Sequence, residues 1–375
     1  MKNFVGSLNT DISFDVLSRF PAKDLVELKR VSKGWQHLIM NQSFIQIQSR
    51  RREPLSGFFF QQRFQWSEYD IETINYIPVK WEGLELHKKV FDFLPQDVVL
   101  LTTCNGLVCC RSCFPFELPA IFVCNPLNKE WVKLDWTEPD KEHSIALAFD
   151  PLLDISGNSA NFKLDEQLYF SFDIYSSRTG SWNLSKDICW CNSNLHKNKG
   201  VYIRGVLHWL TDEDQILTFD VDNELAFLIS APVPAAEFST APKACIGELE
   251  GCLHYVMISE EGFHIWSLED YFELNWLLKY SKTLAEMEQE HPKFLLNMQE
   301  LVKLQMTDDV SPWVDSLAFK DGILVLRVST IVYLYDIIRS KMQEVCDNSK
   351  FGTSSMYCPT VLPYSMTLVP LLNKE

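Results

Sequence analysis

Two short phrases recur through most of this 375-residue chain, and their spacing constrains its fold more than any single residue does. The first is a glycine followed by a short apolar run. It reads Asn105-Gly106-Leu107-Val108-Cys109, Gly205-Val206-Leu207-His208-Trp209, Gly251-Cys252-Leu253-His254-Tyr255 and Asp321-Gly322-Ile323-Leu324-Val325. The second is a strand, a polar turn and often a tryptophan. It appears as Val123-Cys124-Asn125-Pro126-Leu127-Asn128-Lys129-Glu130-Trp131 and as Tyr175-Ser176-Ser177-Arg178-Thr179-Gly180-Ser181-Trp182, with weaker copies at Phe219-Asp220 and Tyr335-Asp336. Gly205 and Gly251 are 46 residues apart, Trp131 and Trp182 are 51 apart, and Gly251 and Gly322 are 71 apart, which marks an insertion. Short strands at a period of about 40 to 50 residues are the signature of a β-propeller of the kelch or WD type. Each blade packs between two neighbours, so its middle strands are apolar on both faces, as in Ile216-Leu217-Thr218-Phe219. Glycine is expected to begin a strand where chains approach closely, and the polar phrase to supply a hairpin turn. Roughly six or seven blades fit the length. The insertion holds Ala285-Glu286-Met287-Glu288-Gln289-Glu290, a polar, helix-favouring stretch expected in a long surface loop.

Leu8 to Phe44 reads differently. Ile12, Val16, Leu17 and Phe20 fall at spacings of four, one and three, which is one face of a helix. Asn9 or Thr10 can cap its start, and Pro21 cannot continue its ladder. Leu25, Leu28 and Val31 mark a second short helix; Ser32 can cap a third, whose apolar face is Trp35, Leu38 and Ile39. A helical unit of about forty residues has too little interior to bury all of these. Part of its apolar surface must meet another domain or another protein.

In order and spacing, Leu8, Asp11-Ile12, Val16-Leu17-Ser18-Arg19, Phe20-Pro21-Ala22-Lys23-Asp24-Leu25, Val31-Ser32-Lys33 and Trp35 resemble the F-box in its plant-like form. Asn9 is a departure, standing where that family usually has proline. Gly205-Val206-Leu207-His208-Trp209, Tyr175-Ser176-Ser177 with Thr179-Gly180 and Trp182, and more loosely Ala148-Phe149-Asp150-Pro151 resemble the F-box-associated, kelch-like propeller of plant F-box proteins. Together these divide the chain into an all-α F-box over 1–50, a linker over 51–55 containing Pro54, and an all-β propeller over 56–372. Thr360 to Leu371 reads as the strand that closes the ring.

The resemblance implies docking on the Skp-type adaptor of a ubiquitin ligase and, through it, on cullin and RING subunits. Leu8, Ile12, Val16, Leu17, Pro21, Leu25, Val31 and Trp35 are the residues expected to bind the adaptor, with Leu17 and Trp35 as the anchors. Period alone does not separate those that face inward. The propeller loops 137–145, 184–200, 236–244 and 282–312 are the expected recognition surface for an unknown protein substrate.

A net charge of −16 argues against a phosphate-backbone binder, which needs a concentrated basic surface. The one basic run, Arg50-Arg51-Arg52, reads as the solvated end of the helical unit in preference to a nuclear address. No apolar run reaches the roughly 20 residues that span a bilayer. MKNFVGSLNTD has no hydrophobic core of a signal peptide, so the eleven cysteines are expected as reduced thiols in the cytoplasm or nucleus.

Cys104, Cys109, Cys110, Cys113 and Cys124 cluster, and Cys189 lies near Cys191. A zinc site wants two separated ligand pairs, and adjacent Cys109 and Cys110 on a strand point to opposite faces. Buried thiols are the expectation, with no metal and no cofactor. His208 and His254 occupy the same place in successive repeats, as expected for a structural hydrogen bond. His37, His143, His196 and His264 have no matching nucleophile, and no nucleophile elbow, zinc-protease, phosphate-loop or dinucleotide motif is present. Asp212-Glu213-Asp214 and Asp308-Asp309 read as solvated turn charges. A ligase scaffold needs no catalytic group, because it gains rate by proximity. The rival is a binding module without ubiquitin transfer, either a scaffold or a lectin stacking a sugar on Trp66, Trp81, Trp136, Trp190, Trp276 or Trp313. A propeller hydrolase would need a metal or an acid cluster at the channel mouth.

Overall fold

The computed structural model describes residues 10–61, 74–80, 87–88, 90–115, 117–136, 144–151, 158–164, 169–191, 193–195, 199–212, 215–234, 237–238, 242–271, 273–304, 314–347 and 359–371. Leu8 and Asn9 lie outside these residues, as do Trp66, Trp81, His143, His196, Asp308, Asp309 and Trp313.

At each copy of the glycine phrase the chain makes a two-residue turn with both φ angles positive, as at Arg204 (47°) and Gly205 (91°), or Asp321 (51°) and Gly322 (78°). This turn matches the twist of an antiparallel hairpin. The glycine therefore belongs to the turn, one residue ahead of the strand. At Gly205 the requirement is conformational, since a Cβ there would meet nothing within 4 Å. The expected close approach holds at Gly106, where a Cβ would lie 2.9 Å from the Thr367 main-chain nitrogen. It is also found outside the phrase at Gly247, where a Cβ would lie 2.0 Å from the carbonyl oxygen of Phe319.

The helical unit is α1 (Thr10–Leu17), α2 (Ala22–Leu28), α3 (Lys33–Ile39) and α4 (Gln42–Ser49). Pro21, with φ −57°, stands at the N-cap of α2. Ser32 Oγ accepts from the Trp35 N–H at 3.2 Å and caps α3. The fourth helix, not expected from the period, is capped by Asn41, whose Oδ1 accepts from the N–H groups of Ser43 and Phe44 at 2.9 and 3.3 Å.

Among the described residues six four-stranded blades follow, the lower of the two expected counts. The first is β1 (Leu55–Gln61), β2 (Ile74–Pro78) and β3 (His87–Lys88), completed from the far end of the chain by β24 (Thr360–Ser365). The second is β4 (Val98–Cys104), β5 (Leu107–Ser112), β6 (Ala120–Asn125) and β7 (Glu130–Asp135); the third is β8 (Ser144–Ala148), β9 (Asn158–Leu164), β10 (Tyr169–Ser176) and β11 (Ser181–Trp190). The fourth is β12 (Val201–Ile203), β13 (Val206–Leu210), β14 (Gln215–Asp220) and β15 (Leu225–Ser230). The fifth is β16 (Lys243–Leu249), β17 (Cys252–Ser259), β18 (Gly262–Asp270) and β19 (Asn275–Lys282). The sixth is β20 (Val314–Lys320), β21 (Ile323–Val328), β22 (Ile331–Asp336) and β23 (Lys341–Asp347).

The ring closes through its innermost strands, since β24, β4, β8, β12, β16 and β20 touch in that order and β20 touches β24 again. β24 lies antiparallel to β1, with Phe59 opposite Leu362. Between blades five and six the contact becomes a main-chain pairing, parallel, with Gly247 opposite Phe319 and Glu248 opposite Lys320. That pairing is what the missing Cβ of Gly247 permits.

Each seam between neighbouring blades holds its own apolar cluster. Phe59, Leu100, Phe122 and Leu362 fill the seam between blades one and two, and Phe58, Phe60, Val325 and Leu334 that between six and one. A fully buried side chain of this size contributes roughly 1.5 to 3 kcal/mol over an exposed one. The insertion after blade five forms α5 (Leu284–Glu290) and α6 (Met298–Leu304). Thr283 and Glu286 make a reciprocal capping box at the start of α5. The expected loop is therefore helical, and it is not all surface: Leu284, Met287, Leu295, Met298 and Val302 join the seam between blades five and six.

Candidate functional site

The helical unit folds around Leu17, Ala22, Leu25, Ile39 and Phe44, and this cluster also takes in Leu368 from the C-terminal segment, with Met366 and Leu127 packed against it. One side of the unit is thus glued to the propeller. The unit also keeps apolar side chains in solvent: Ile12 is 52% exposed, Val16 50%, Phe20 43%, Val31 67% and Met40 57%. Single exposed apolar residues are ordinary, but five on about thirty residues of one small unit mark a face that remains to be covered.

Of the eight expected adaptor-binding residues, Leu8 lies outside the described residues and the other seven divide accordingly. Ile12, Val16, Pro21 and Val31 are exposed and Trp35 is half-buried. Leu17 and Leu25 are interior, at 4% and 0% exposure, so neither can offer surface to a partner. The expectation of Leu17 as an anchor is corrected on that ground. Phe20 and Met40 were not among the eight. The helical period already placed Phe20 with Ile12 and Val16, whereas nothing in the sequence singles out Met40.

The propeller has two unlike ends. In an antiparallel blade the first-to-second and third-to-fourth turns share one end, while the second-to-third connections and the crossings between blades share the other. The segment Gln48–Glu53 borders a cavity at the first end, facing the turns at Asn105, Arg204, Glu250-Gly251 and Asp321. Beyond it, the central channel narrows to a space of about 80 Å³, bordered by Thr103, Tyr202, Glu248 and Lys320, room for water and little more.

Loops 137–145, 184–200, 236–244 and 282–312 each fall between the last strand of one blade and the first strand of the next. Ser144 and Ile145 belong to β8, residues 184–190 to β11, Lys243 and Ala244 to β16, and α5 and α6 fill much of the last. Positions 137–143, 192, 196–198, 236, 239–241 and 305–312 of these loops lie outside the described residues.

The groups weighed for chemistry have structural partners. His208 Nδ1 faces the Val201 carbonyl at 3.1 Å and His254 Nδ1 faces that of Cys252 at 3.1 Å. His264 lies 3.1 Å from Ser281 Oγ, and His37 is exposed on α3. Asp212 accepts from Asn194 through both its carboxylate oxygens, at 2.9 Å each. Burial, then Cys191 and Asp187, push the Cys189 thiol up to about 11, the opposite of what a reactive thiolate needs. Cys109 and Cys110 are buried and likewise pushed up. Among the described residues, no group of three or more His, Cys, Asp and Glu is placed to hold a metal ion.

Two tryptophans, Trp182 of the turn phrase and Trp276 outside it, are staples between blades. Trp182 Nε1 donates to the Asp135 carbonyl at 2.9 Å, and Trp276 Nε1 to that of Ser230 at 3.0 Å. Trp136 is buried, and Trp190, 66% exposed, stands edge-on to Tyr169 at 5.3 Å.

No helix among the described residues is long and apolar enough to cross a membrane. Comparison with known proteins agrees with the two-part architecture. A family model described as "F-box domain" matches residues 6–46, and one described as "F-box protein At3g26010-like, beta-propeller" matches residues 85–301. F-box protein At5g07610 of Arabidopsis thaliana is 23% identical over 368 residues, covering 90% of this chain and 85% of that protein. F-box protein At5g49610 of the same plant is 24% identical over 295 residues, covering 74% and 79%. Putative F-box/kelch-repeat protein At1g20790, also of Arabidopsis thaliana, is 34% identical over 146 residues, covering 35% and 33%. The chain belongs to the F-box protein At3g26010-like β-propeller family, with an F-box domain ahead of its propeller.

Proposed function

We propose that this protein is a non-catalytic substrate-recognition subunit of a Skp–cullin–F-box ubiquitin ligase, working in the cytoplasm or nucleus. Its F-box would dock on the Skp-type adaptor, which brings in the cullin and RING subunits. The far end of the propeller would hold the protein to be modified. The observation that carries this reading is the set of exposed Ile12, Val16, Phe20, Val31 and Met40 on a small unit whose core is already packed and tied to the propeller. Apolar side chains of that size, once desolvated, anchor interfaces. Such a ligase needs only to hold a charged partner enzyme near the substrate, and effective concentration supplies the rate.

The test is co-purification with a Skp-type adaptor, comparing wild type with Val16→Asp plus Val31→Asp. Wild type is expected to bind and the folded double variant to lose at least tenfold in affinity. If wild type does not bind, the ligase reading falls, and the propeller stands as a binding module without ubiquitin transfer.

A further inference from the structure

Residues 51–53 cross from α4 to β1, and their three side chains turn alternately to the two halves of the protein. Arg51 faces the helices: Nε donates to Ser18 Oγ at 3.0 Å and Nη2 to Asp15 Oδ1 at 3.1 Å. Glu53 faces them as well, accepting from the Ala22 N–H at 3.0 Å and from the Gln48 amide. Arg52, between them, faces the propeller. Its Nη2 donates to Glu248 Oε1 at 3.1 Å and to Asp321 Oδ1. The Arg51 N–H still bonds to the Gln48 carbonyl at 2.9 Å, so the segment leaves the last turn of α4 before β1 begins at Leu55, and each side chain's direction is set by the partners it bonds.

The place that Arg52 grips is a stiff one. Glu248 ends the paired part of β16 and Asp321 follows β20, the two inner strands joined by main-chain pairing. The Asp321 N–H adds a bond to the Glu248 carbonyl at 3.0 Å. Glu248 is held in turn by Lys320 and by the Gly251 N–H at 2.5 Å. The Glu248 and Asp321 side chains are 10% and 19% exposed, so these pairs are screened less than ion pairs in open solvent. One guanidinium can reach carboxylates on two blades, where an ammonium is a single point charge.

Further ties between the halves are mainly apolar, through Leu368, Met366 and Leu127 and through Ile45 against the seam of blades two and three, with a long bond from Ser49 Oγ to the Pro151 carbonyl at 3.5 Å. Apolar contact gives attraction without direction, whereas charge-assisted hydrogen bonds fix an angle. We infer that residues 51–53 are a two-sided clasp in which Arg52 sets the bearing of the helical unit on the propeller. Resting on the function proposed above, Arg52 is then a positioning residue: it fixes where a substrate on the far end sits relative to the adaptor while touching neither.

The experiment places a fluorophore pair at exposed Gln36 and Asn223 through noncanonical amino acids and reads single-molecule energy transfer on the full chain. Wild type is expected to give one narrow distance distribution and Arg52→Ala a broadened or shifted one. Arg52→Lys should recover part of the narrowing. Asp321→Asn, which keeps the shape and removes one charge, should broaden the distribution if Arg52→Ala fails to fold. Adaptor affinity should stay within twofold of wild type in every variant, because none touches the exposed helical face. Distributions for Arg52→Ala and Asp321→Asn that superimpose on wild type overturn the clasp. If wild type never binds the adaptor, the proposed function fails, while the distance readout still decides whether Arg52 sets the bearing.

Discussion

Tyr271 donates its hydroxyl hydrogen to His208 Nε2 at 2.8 Å, while the opposite ring nitrogen of His208 donates to the Val201 carbonyl at 3.1 Å. The imidazole is therefore a neutral ring with its proton on Nδ1, bonded at one end within the fourth blade and at the other to the fifth. Burial lowers its pKa from 6.5 to about 4, although the bond to Val201 pulls the other way. Because the folded value is depressed, the unfolded chain binds the proton more readily between the two values. Stability is complete above 6.5 and is lost as pH falls toward 4. Fully titrated, this amounts to about 3 kcal/mol at 1.36 kcal/mol per unit. The urea midpoint should fall between pH 7 and pH 5, and His208→Gln should flatten that fall. An unchanged slope in the variant would show that other groups carry it.

Leu17 and Val16 are neighbours in sequence and opposites in consequence. Leu17→Ala empties part of the helical core and should cost about 2 to 4 kcal/mol, read as a lower unfolding midpoint with adaptor binding lost as the unit melts. Val16→Asp removes a half-exposed side chain, so the midpoint should move by less than about 0.5 kcal/mol. Its loss of adaptor binding should nonetheless be at least tenfold. Circular dichroism with an adaptor titration separates the two; equal melting losses would place Val16 inside the unit.

How far the sequence reaches can be seen in particular residues. The ring was legible because the blades reuse one turn chemistry: Asp220 Oδ1 accepts from Asp222 and Asn223 N–H groups, and Asp336 Oδ1 from those of Ile338 and Arg339. The blade count was harder, because the first blade takes its inner strand from residues 360–365, some 300 positions away from its other strands. Period identifies an apolar helix face without saying what covers it, so Leu17 and Val16 looked alike. Arg50-Arg51-Arg52 looked like one block of charge because its partners, Asp15 on one side and Glu248 and Asp321 on the other, are remote in sequence. α5 looked like surface because only Leu284 and Met287 among its seven residues are buried, and the rest of that contact comes from Leu295 and Met298 beyond it.

Two glycines test the difference between space and conformation. Gly247→Ala would put a methyl group 2.0 Å from a main-chain oxygen of the adjoining strand, which cannot move without opening the pairing of blades five and six. Loss of soluble protein, or several kcal/mol of destabilisation, is expected. Gly205→Ala has space but a φ of +91°, so its cost should be about 1 to 2 kcal/mol. Chemical unfolding of both variants checks the order; a tolerated Gly247→Ala would refute the close pairing.

The C-terminal segment performs two tasks at once, and cutting it should expose both. β24 supplies the innermost strand of blade one, with Val361 in the seam to blade six and Leu362 and Tyr364 in the seam to blade two. Leu368, six residues beyond Leu362, enters the core of the helical unit. Truncation after Pro359 would leave β1 with a bare inner edge and both seams open, and bare edges invite association. That protein should be insoluble. Truncation after Ser365 keeps β24 in the ring and removes the apolar tie to the helices, Val369 from the seam of blades two and three, and the Thr367 and Val369 carbonyls that accept from Asn125 Nδ2 at 3.1 and 2.8 Å. It should remain soluble, with a propeller that melts cooperatively at a lower temperature and a helical unit cut readily by protease. Adding residues 360–371 back as a separate peptide should rescue the shorter truncation during refolding, since strand pairing to β1 needs no covalent link. If the protein truncated after Pro359 is soluble and melts like wild type, the ring does not depend on β24 for closure.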